Sequence, residues 1–199
     1  MKATDFDFSK DLKLSIETGI ASFRSTRLAM FDVEAIGLLR KLLIDELGME
    51  RARQLFLRFG YQCGYADFIQ MKINYTFETE MDLLASGPVI HTWEGIVRAT
   101  PTEIRFNRDT GEFYFTGVWA NSYEAEQHIA FCGHSKEVSC WSLMGYASGW
   151  CSAFFGSKLV AIEPVCACKG DANCGWEIKP EGEWGDIAKP YIEAFKIFS

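Results

Sequence analysis

The densest chemistry in this 199-residue sequence lies in Glu163-Pro164-Val165-Cys166-Ala167-Cys168-Lys169-Gly170-Asp171-Ala172-Asn173-Cys174, with Cys140 upstream. Three cysteines gathered around a Lys169-Gly170-Asp171 turn have the softness and reach to close a tetrahedral zinc site. By spacing alone, Cys140, Cys166, Cys168 and Cys174 make the four-thiolate set and Glu163 is a surface carboxylate. A site closed by four protein donors holds structure and turns over no substrate. A second pair of interest is His91, in Val89-Ile90-His91-Thr92-Trp93-Glu94-Gly95, and Trp119, in Gly117-Val118-Trp119-Ala120. A neutral imidazole facing a cavity either donates to or accepts from a ligand hydroxyl, and an indole adds an N–H donor and an aromatic wall. By residue type alone, core filling is the commoner reading of both.

The chain carries no G-x-S-x-G elbow, no H-E-x-x-H helix, no G-x-x-x-x-G-K-[ST] loop and no strand-linked G-x-G-x-x-G, so hydrolysis of ATP is excluded. A net charge of -7 and no Lys/Arg run beyond two remove the footprint of a nucleic-acid binder. No apolar run approaches the roughly 18 residues of a membrane span, and the acidic, polar start is unlike a signal peptide, so the expectation is a cytoplasmic protein. Seven cysteines, an odd number, fit reduced thiols around one metal better than a disulfide framework. At 48% hydrophobic residues the chain can bury a sizeable core.

The elements that must position these residues follow from periodicity. Leu12, Leu14 and Ile16 alternate up to Glu17-Thr18-Gly19 and extended character resumes from Ile20 to Phe31, which predicts an N-terminal hairpin needing a partner surface. Asp32 caps a helix with Val33, Ile36, Leu39, Leu42, Leu43 and Leu47 inward, stopped by Gly48. A second helix starts near Glu50 with Leu55, Phe56, Phe59 and Cys63 inward, and Gly60 and Gly64 invite close approach of another backbone. Ser86-Gly87-Pro88 reads as a turn into three antiparallel strands from Val89 to Trp119, broken at Pro101 and at Arg108-Asp109-Thr110-Gly111. Asn121 and Glu124 resemble a capping box for a helix to about Phe131. Another helix runs from Cys140 to Phe155, two strands (Lys158 to Cys166 and Gly175 to Lys179) flank the metal loop, and the tail from Asp186 to Phe198 is helical in pattern. The expected class is α+β: an antiparallel meander, segregated helices, an N-terminal hairpin and a zinc-binding loop between two strands.

Several segments together resemble a known family. They are Leu47-Gly48-Met49-Glu50-Arg51-Ala52-Arg53, Arg58-Phe59-Gly60-Tyr61-Gln62, Trp93-Glu94-Gly95-Ile96-Val97, Cys140-Trp141 with Gly145-Tyr146-Ala147-Ser148-Gly149, and Cys166 to Cys174. In combination they are similar to the amino-terminal sensor domain of XylR/DmpR/MopR-type activators of aromatic catabolism, over nearly the whole chain. The C-terminal half is similar to the vinyl reductase type of domain. The resemblance implies a dimeric domain that binds a phenol or related monoaromatic in a buried pocket and, in full-length relatives, restrains a following ATPase module until effector arrives. It implies zinc ligands at Cys140, Glu163, Cys166 and Cys174, exchanging Cys168 for Glu163, and a phenolic hydroxyl held by His91 and Trp119. It also implies a reshaped pocket: Leu84 and Ala161 stand where phenol sensors tend to carry aromatic residues, and Trp93 where a smaller aliphatic is usual.

The expected organisation is one sensor domain over residues 1–199. Residues 1–31 form the hairpin for dimerisation, 32–135 the helices and meander, 136–185 the zinc subregion and 186–199 the start of a linker helix. Two rival readings remain at this point. One is a zinc-dependent hydrolase or reductase subunit with Glu163 as general base, which requires three protein ligands and a water. The other is a structural zinc module that binds a partner protein, which an undersized or polar pocket would favour.

Overall fold

The computed structural model of the chain describes residues 1–195. It opens on a small antiparallel sheet, β1 (Leu12–Ser15), β2 (Ile20–Phe23) and β3 (Thr26–Leu28), in that spatial order. The expected hairpin therefore gains a third strand. Three helices follow: α1 (Val33–Leu47), α2 (Met49–Asn74) and α3 (Glu80–Trp93). Strands β4 (Arg98–Asn107) and β5 (Glu112–Ala120) make a long hairpin, and helices α4 (Tyr123–Cys132) and α5 (Trp141–Phe155) lead to β6 (Leu159–Ile162), β7 (Cys174–Pro180) and α6 (Lys189–Phe195). The second sheet is antiparallel throughout, in the order β4-β5-β7-β6. The fold is thus mixed α and β with antiparallel sheets, and no helix among the described residues is long and apolar enough to cross a membrane. Residues 196–198 of the expected helical tail lie outside the described residues.

The centre of the molecule is a parallel pair of helices. Gly60 and Gly64 of α2 meet the backbone of Ser142 and Tyr146, and Gly145 and Gly149 of α5 meet the backbone of Leu57 and Tyr61, so closely that a Cβ at any of the four would overlap a carbonyl oxygen. Small residues four apart on both helices let the two backbones interlock, the arrangement that the Gly60/Gly64 spacing anticipates. Twelve of the fifteen residues of α5 are buried; it is the core helix, with α2 on one side and the second sheet on the other.

Several expectations change here. Ser86-Gly87-Pro88 is no turn: α3 continues through Pro88, and His91 lies on a helix instead of a strand. A proline lacks the N–H that would bond the carbonyl four residues back. That carbonyl, Leu84 O, accepts instead from Trp150 Nε1 at 3.1 Å, so a tertiary contact supplies what the local sequence removes. Pro101 does not break a strand either; it sits at a register shift within β4. The cap of α4 is Ser122, which accepts from Ala125 N, while Asn121 adopts a positive φ of 57°. Glu124 is buried and binds outside its own helix, to Arg40 Nη1 at 2.7 Å and Leu143 N at 3.0 Å.

The largest departure is α1, where Leu43 packs on the core as expected but most of the apolar stripe faces outward. Leu39 and Leu42 are 49% and 52% exposed, whereas Gly37 and Arg40 are buried. Arg40 inserts through α1 to pair with Glu124, donates to Ser139 O at 2.7 Å and lies 3.6 Å over the Trp141 ring. A buried ion pair needs such additional hydrogen bonds to offset its desolvation. Phe59 on α2 likewise points out, at 63% exposure, and Leu57 takes the buried place.

Candidate functional site

Two structures share the elements around α5. The first is a cluster of Cys140, Glu163, Cys166 and Cys174, all buried, whose ligand atoms lie within 4.8 Å of one another. Cys174 Sγ is 3.5 Å from Cys140 Sγ and 3.7 Å from Cys166 Sγ. A metal–sulfur bond of about 2.3 Å at tetrahedral angles sets sulfurs about 3.8 Å apart, so the thiols are already spaced as ligands. The loop is preset: Cys166 N donates to Asp171 Oδ2 at 2.8 Å, and Gly170 closes the turn at φ 98°. Glu163 Oε2 accepts from Cys140 N at 3.0 Å, while its Oε1 is buried with no partner among the described residues.

Burial pushes the Cys140 thiol and the Glu163 carboxyl well above their ordinary values. A bound cation reverses that preference, because it binds thiolate and carboxylate. The donor set therefore fits a metal ion, and four convergent protein donors leave no place for the open coordination position that Glu163 would need as a general base. Cys168 lies outside the set: its Sγ donates to Glu137 O at 3.1 Å.

The second structure is an apolar cavity between α3, α5 and the inner face of the second sheet, with a void of about 30 Å3. His91 enters from α3, Tyr146, Ala147 and Trp150 from α5, and Phe115 and Trp119 from β5. Helix α5 and strands β5 and β7 run from the cavity to the metal cluster. Cys140 caps α5, and Cys174 is the register neighbour of Trp119. A metal ion held by the four residues would tie together the ends of the walls.

His91 and Trp119 are brought together here, as expected, and both are buried. The His91 ring packs on Tyr146 at 3.7 Å between centroids, and burial pushes its imidazole down to about 3, so it is neutral at physiological pH. Neither the His91 ring nitrogens nor Trp119 Nε1 has a hydrogen-bond partner among the described residues. Leu84 and Ala161 are fully buried but stand behind the lining: Leu84 through its carbonyl on Trp150, and Ala161 as the register partner of Ile178, which does line the void. Trp93 is not among the residues that line this cavity: it is 45% exposed, its Nε1 donates to Phe6 O at 3.2 Å, which anchors the N-terminal segment, and it borders a separate, open space with Val89 and Thr92.

Sequence reasoning missed Tyr146, Trp150 and Trp176 as lining residues. The only signal for Tyr146 and Trp150 was two aromatic residues four apart on α5, which reads as core, and Trp176 on β7 carried no signal beyond a single aromatic in a short strand. It also missed Asp67 and Glu94, which border a neighbouring space beneath β2 and β3. Burial pushes Asp67, which stands beside the Tyr146 hydroxyl, up to about 6, while Glu94 lies at the exposed edge of this space.

A metal-type cluster that pins the walls of an apolar cavity, with neutral hydrogen-bonding groups inside it, defines a small-molecule binding domain. The chain belongs to the family described as activators of aromatic catabolism, whose pattern matches residues 7–107. It is 34% identical to the phenol regulator MopR of Acinetobacter guillouiae over 163 residues, which is 81% of this chain and 29% of that protein. It is 28% identical to the transcriptional regulatory protein XylR of Pseudomonas putida over 182 residues, covering 92% of this chain and 32% of that protein. The chain thus spans about a third of the length of these relatives. The crystal structure of the phenol-responsive sensory domain of the transcription activator PoxR with phenol superposes with a TM-score of 0.90 at 30% identity, covering 98% of this chain and 95% of that one. The family is regulatory and not enzymatic, as the lack of catalytic motifs anticipates.

Proposed function

We propose that this chain senses a phenol-like aromatic effector in the cavity of His91 and Trp119 and controls a transcription-activating module that lies outside these residues. The observation that carries the reading is the pairing of His91 and Trp119, two buried groups with no hydrogen-bond partner among the described residues, in a largely apolar void. A phenolic hydroxyl satisfies both: its proton goes to an imidazole nitrogen and its lone pair accepts the indole N–H. Burial of the ring supplies most of the affinity, at about 25 cal/mol per Å2 of apolar surface, and the two hydrogen bonds orient it. An apolar cavity of about 150 Å3 takes a benzene ring, so entry of a ring moves the walls of this smaller void apart. That movement supplies the differential affinity by which a ligand shifts an equilibrium between conformations.

Zinc is the metal the three-thiolate, one-carboxylate set favours, held by Cys140, Glu163, Cys166 and Cys174. It supplies charge neutralisation and a fixed crosslink among α5, β6 and β7; the cavity's own side chains do the recognition. The chain works as a homodimer in the cytoplasm, joined through the apolar surface that α1 and the N-terminal sheet leave open. Leu38, Leu39 and Leu42 on α1 and Leu14, Ile16, Met30 and Phe31 in and after the sheet are all exposed, more than a monomer leaves as scattered residues. A thermal-shift screen against phenol, substituted phenols and alkylbenzenes tests the sensing role. Stabilisation by phenols, lost in His91→Ala, is expected, and no shift with any aromatic would refute it.

A further inference from the structure

Among the residues that line the cavity, Trp176 carries a polar atom that a simple phenol does not use. Trp176 on β7 is 2% exposed, and its Nε1 has no partner among the described residues. Its place is fixed by the sheet. Trp176 pairs in register with Gly117, and a Cβ at 117 would overlap Cζ2 and Cε2 of the indole, the latter bonded directly to Nε1. The ring thus lies across the glycine on the inner face of the sheet. It is edge-on to Phe115 at 4.5 Å and tilted against Trp119 at 6.1 Å. Its own carbonyl accepts from Thr116 Oγ1 at 2.7 Å, which holds the strand in position. Gly117 is the one residue that lets a large aromatic lie flat here.

A buried N–H without an acceptor forfeits its hydration, and native proteins keep few such groups. The hydroxyl of a plain phenol is already shared between His91 and Trp119. Tyr146, whose hydroxyl is also without a fully formed bond, stands beside Asp67 on the α2 side, away from the sheet. Trp176 is therefore the donor left over on the sheet side of the cavity.

We propose that Trp176 is a specificity-determining residue whose indole N–H binds a second oxygen acceptor on the effector. The pocket then prefers an aromatic bearing a hydroxyl and an alkoxy, carbonyl or nitro group over an alkylphenol of the same size. This inference rests on the sensing role proposed above.

Calorimetric titration of the full chain with methoxyphenols and ethylphenols of matched ring position tests it, because the two side groups differ in an acceptor and hardly in size. At one ring position at least, the methoxyphenol is expected to bind on the order of tenfold tighter. In Trp176→Phe the ratio falls to one or below, since the ethyl group is the more apolar. Should Trp176→Phe fail to fold, the indole 15N–1H resonance of Trp176 in the unsubstituted protein gives the same answer: it moves downfield with the methoxyphenol and stays put with its ethyl counterpart. Equal or tighter binding of the ethylphenol at every position, or a ratio unchanged in Trp176→Phe, overturns the assignment. Phenol separates the two readings. If phenol binds in a His91-dependent way and the ratio is still flat, only the Trp176 role falls; if no aromatic binds, the sensing role falls with it.

Discussion

The role proposed for His91 depends on its being neutral. With its imidazole pushed down to about 3 by burial, it offers one donor and one acceptor at any physiological pH. His91→Ala should therefore weaken phenol by about 1 to 3 kcal/mol while toluene, which lacks the hydroxyl, loses much less. Titrating both ligands against both proteins checks this, and equal losses would make His91 a packing residue only. Asp67 gives a second residue-scale prediction. Its folded pKa, about 6, lies above the ordinary 3.8, so its stabilising protonated form is fully present at low pH and is lost as pH rises through 6. Asp67→Asn removes that loss. Its melting temperature should gain on the wild type as pH goes from 4 to 7, and a gap that is constant with pH would contradict the argument.

Among elements, the α2–α5 interlock controls the shape of the cavity. α5 carries Tyr146, Ala147 and Trp150 into the void on one face while Gly145 and Gly149 lock onto α2 with another. Gly149→Ala places a methyl against the Tyr61 carbonyl, and backbone cannot step aside as a side chain can. The expected cost is about 3 kcal/mol or more by denaturant midpoint, together with altered affinity for phenol because α5 is displaced. The same substitution at Gly182, which has nothing within 4 Å, should change neither. Tyr61 also packs on Phe195 of α6 at 5.0 Å, and Arg58 Nε donates to Ala194 O at 2.7 Å. Helix α2, which locks the cavity helix α5 in place, thus also holds the C-terminal helix.

Over the whole molecule, the metal cluster and the exposed apolar faces decide integrity and assembly. Purified protein should contain about one zinc per chain. Cys166→Ala or Cys174→Ala should yield insoluble or partly unfolded protein, since structural zinc binding is worth on the order of 10 kcal/mol, and Cys168→Ser should be mild. Elemental analysis and circular dichroism measure both, and normal folding of both ligand variants without metal would sink the closed-site claim. For assembly, deleting residues 1–31 should give monomers or aggregates by light scattering, because the deletion removes one of the two open apolar surfaces and uncovers α2 and α3 beneath it.

The sequence by itself determined what depends on short range. The candidate metal loop is legible in three cysteines around a glycine turn, α1 in its Asp32 cap and Gly48 stop, the helix interlock in glycines four apart, and the regulatory class in the family resemblance of several short segments together. Exchange of Cys168 for Glu163 needed the family resemblance, since a carboxylate three residues before a thiol has no spacing signal of its own. Tertiary structure alone decided the rest. Only Trp150, arriving from α5 to occupy the carbonyl that Pro88 leaves free, keeps α3 helical and so puts His91 on a helix. Only the tertiary structure shows that Arg40, paired with Glu124, takes the buried face of α1 while Leu38, Leu39 and Leu42 face outward, because periodicity marks an apolar stripe without saying what covers it. The cavity itself is assembled from α3, α5, β5 and β7, residues distant in sequence, and which aromatic lines it and which fills the core is fixed by how those elements pack.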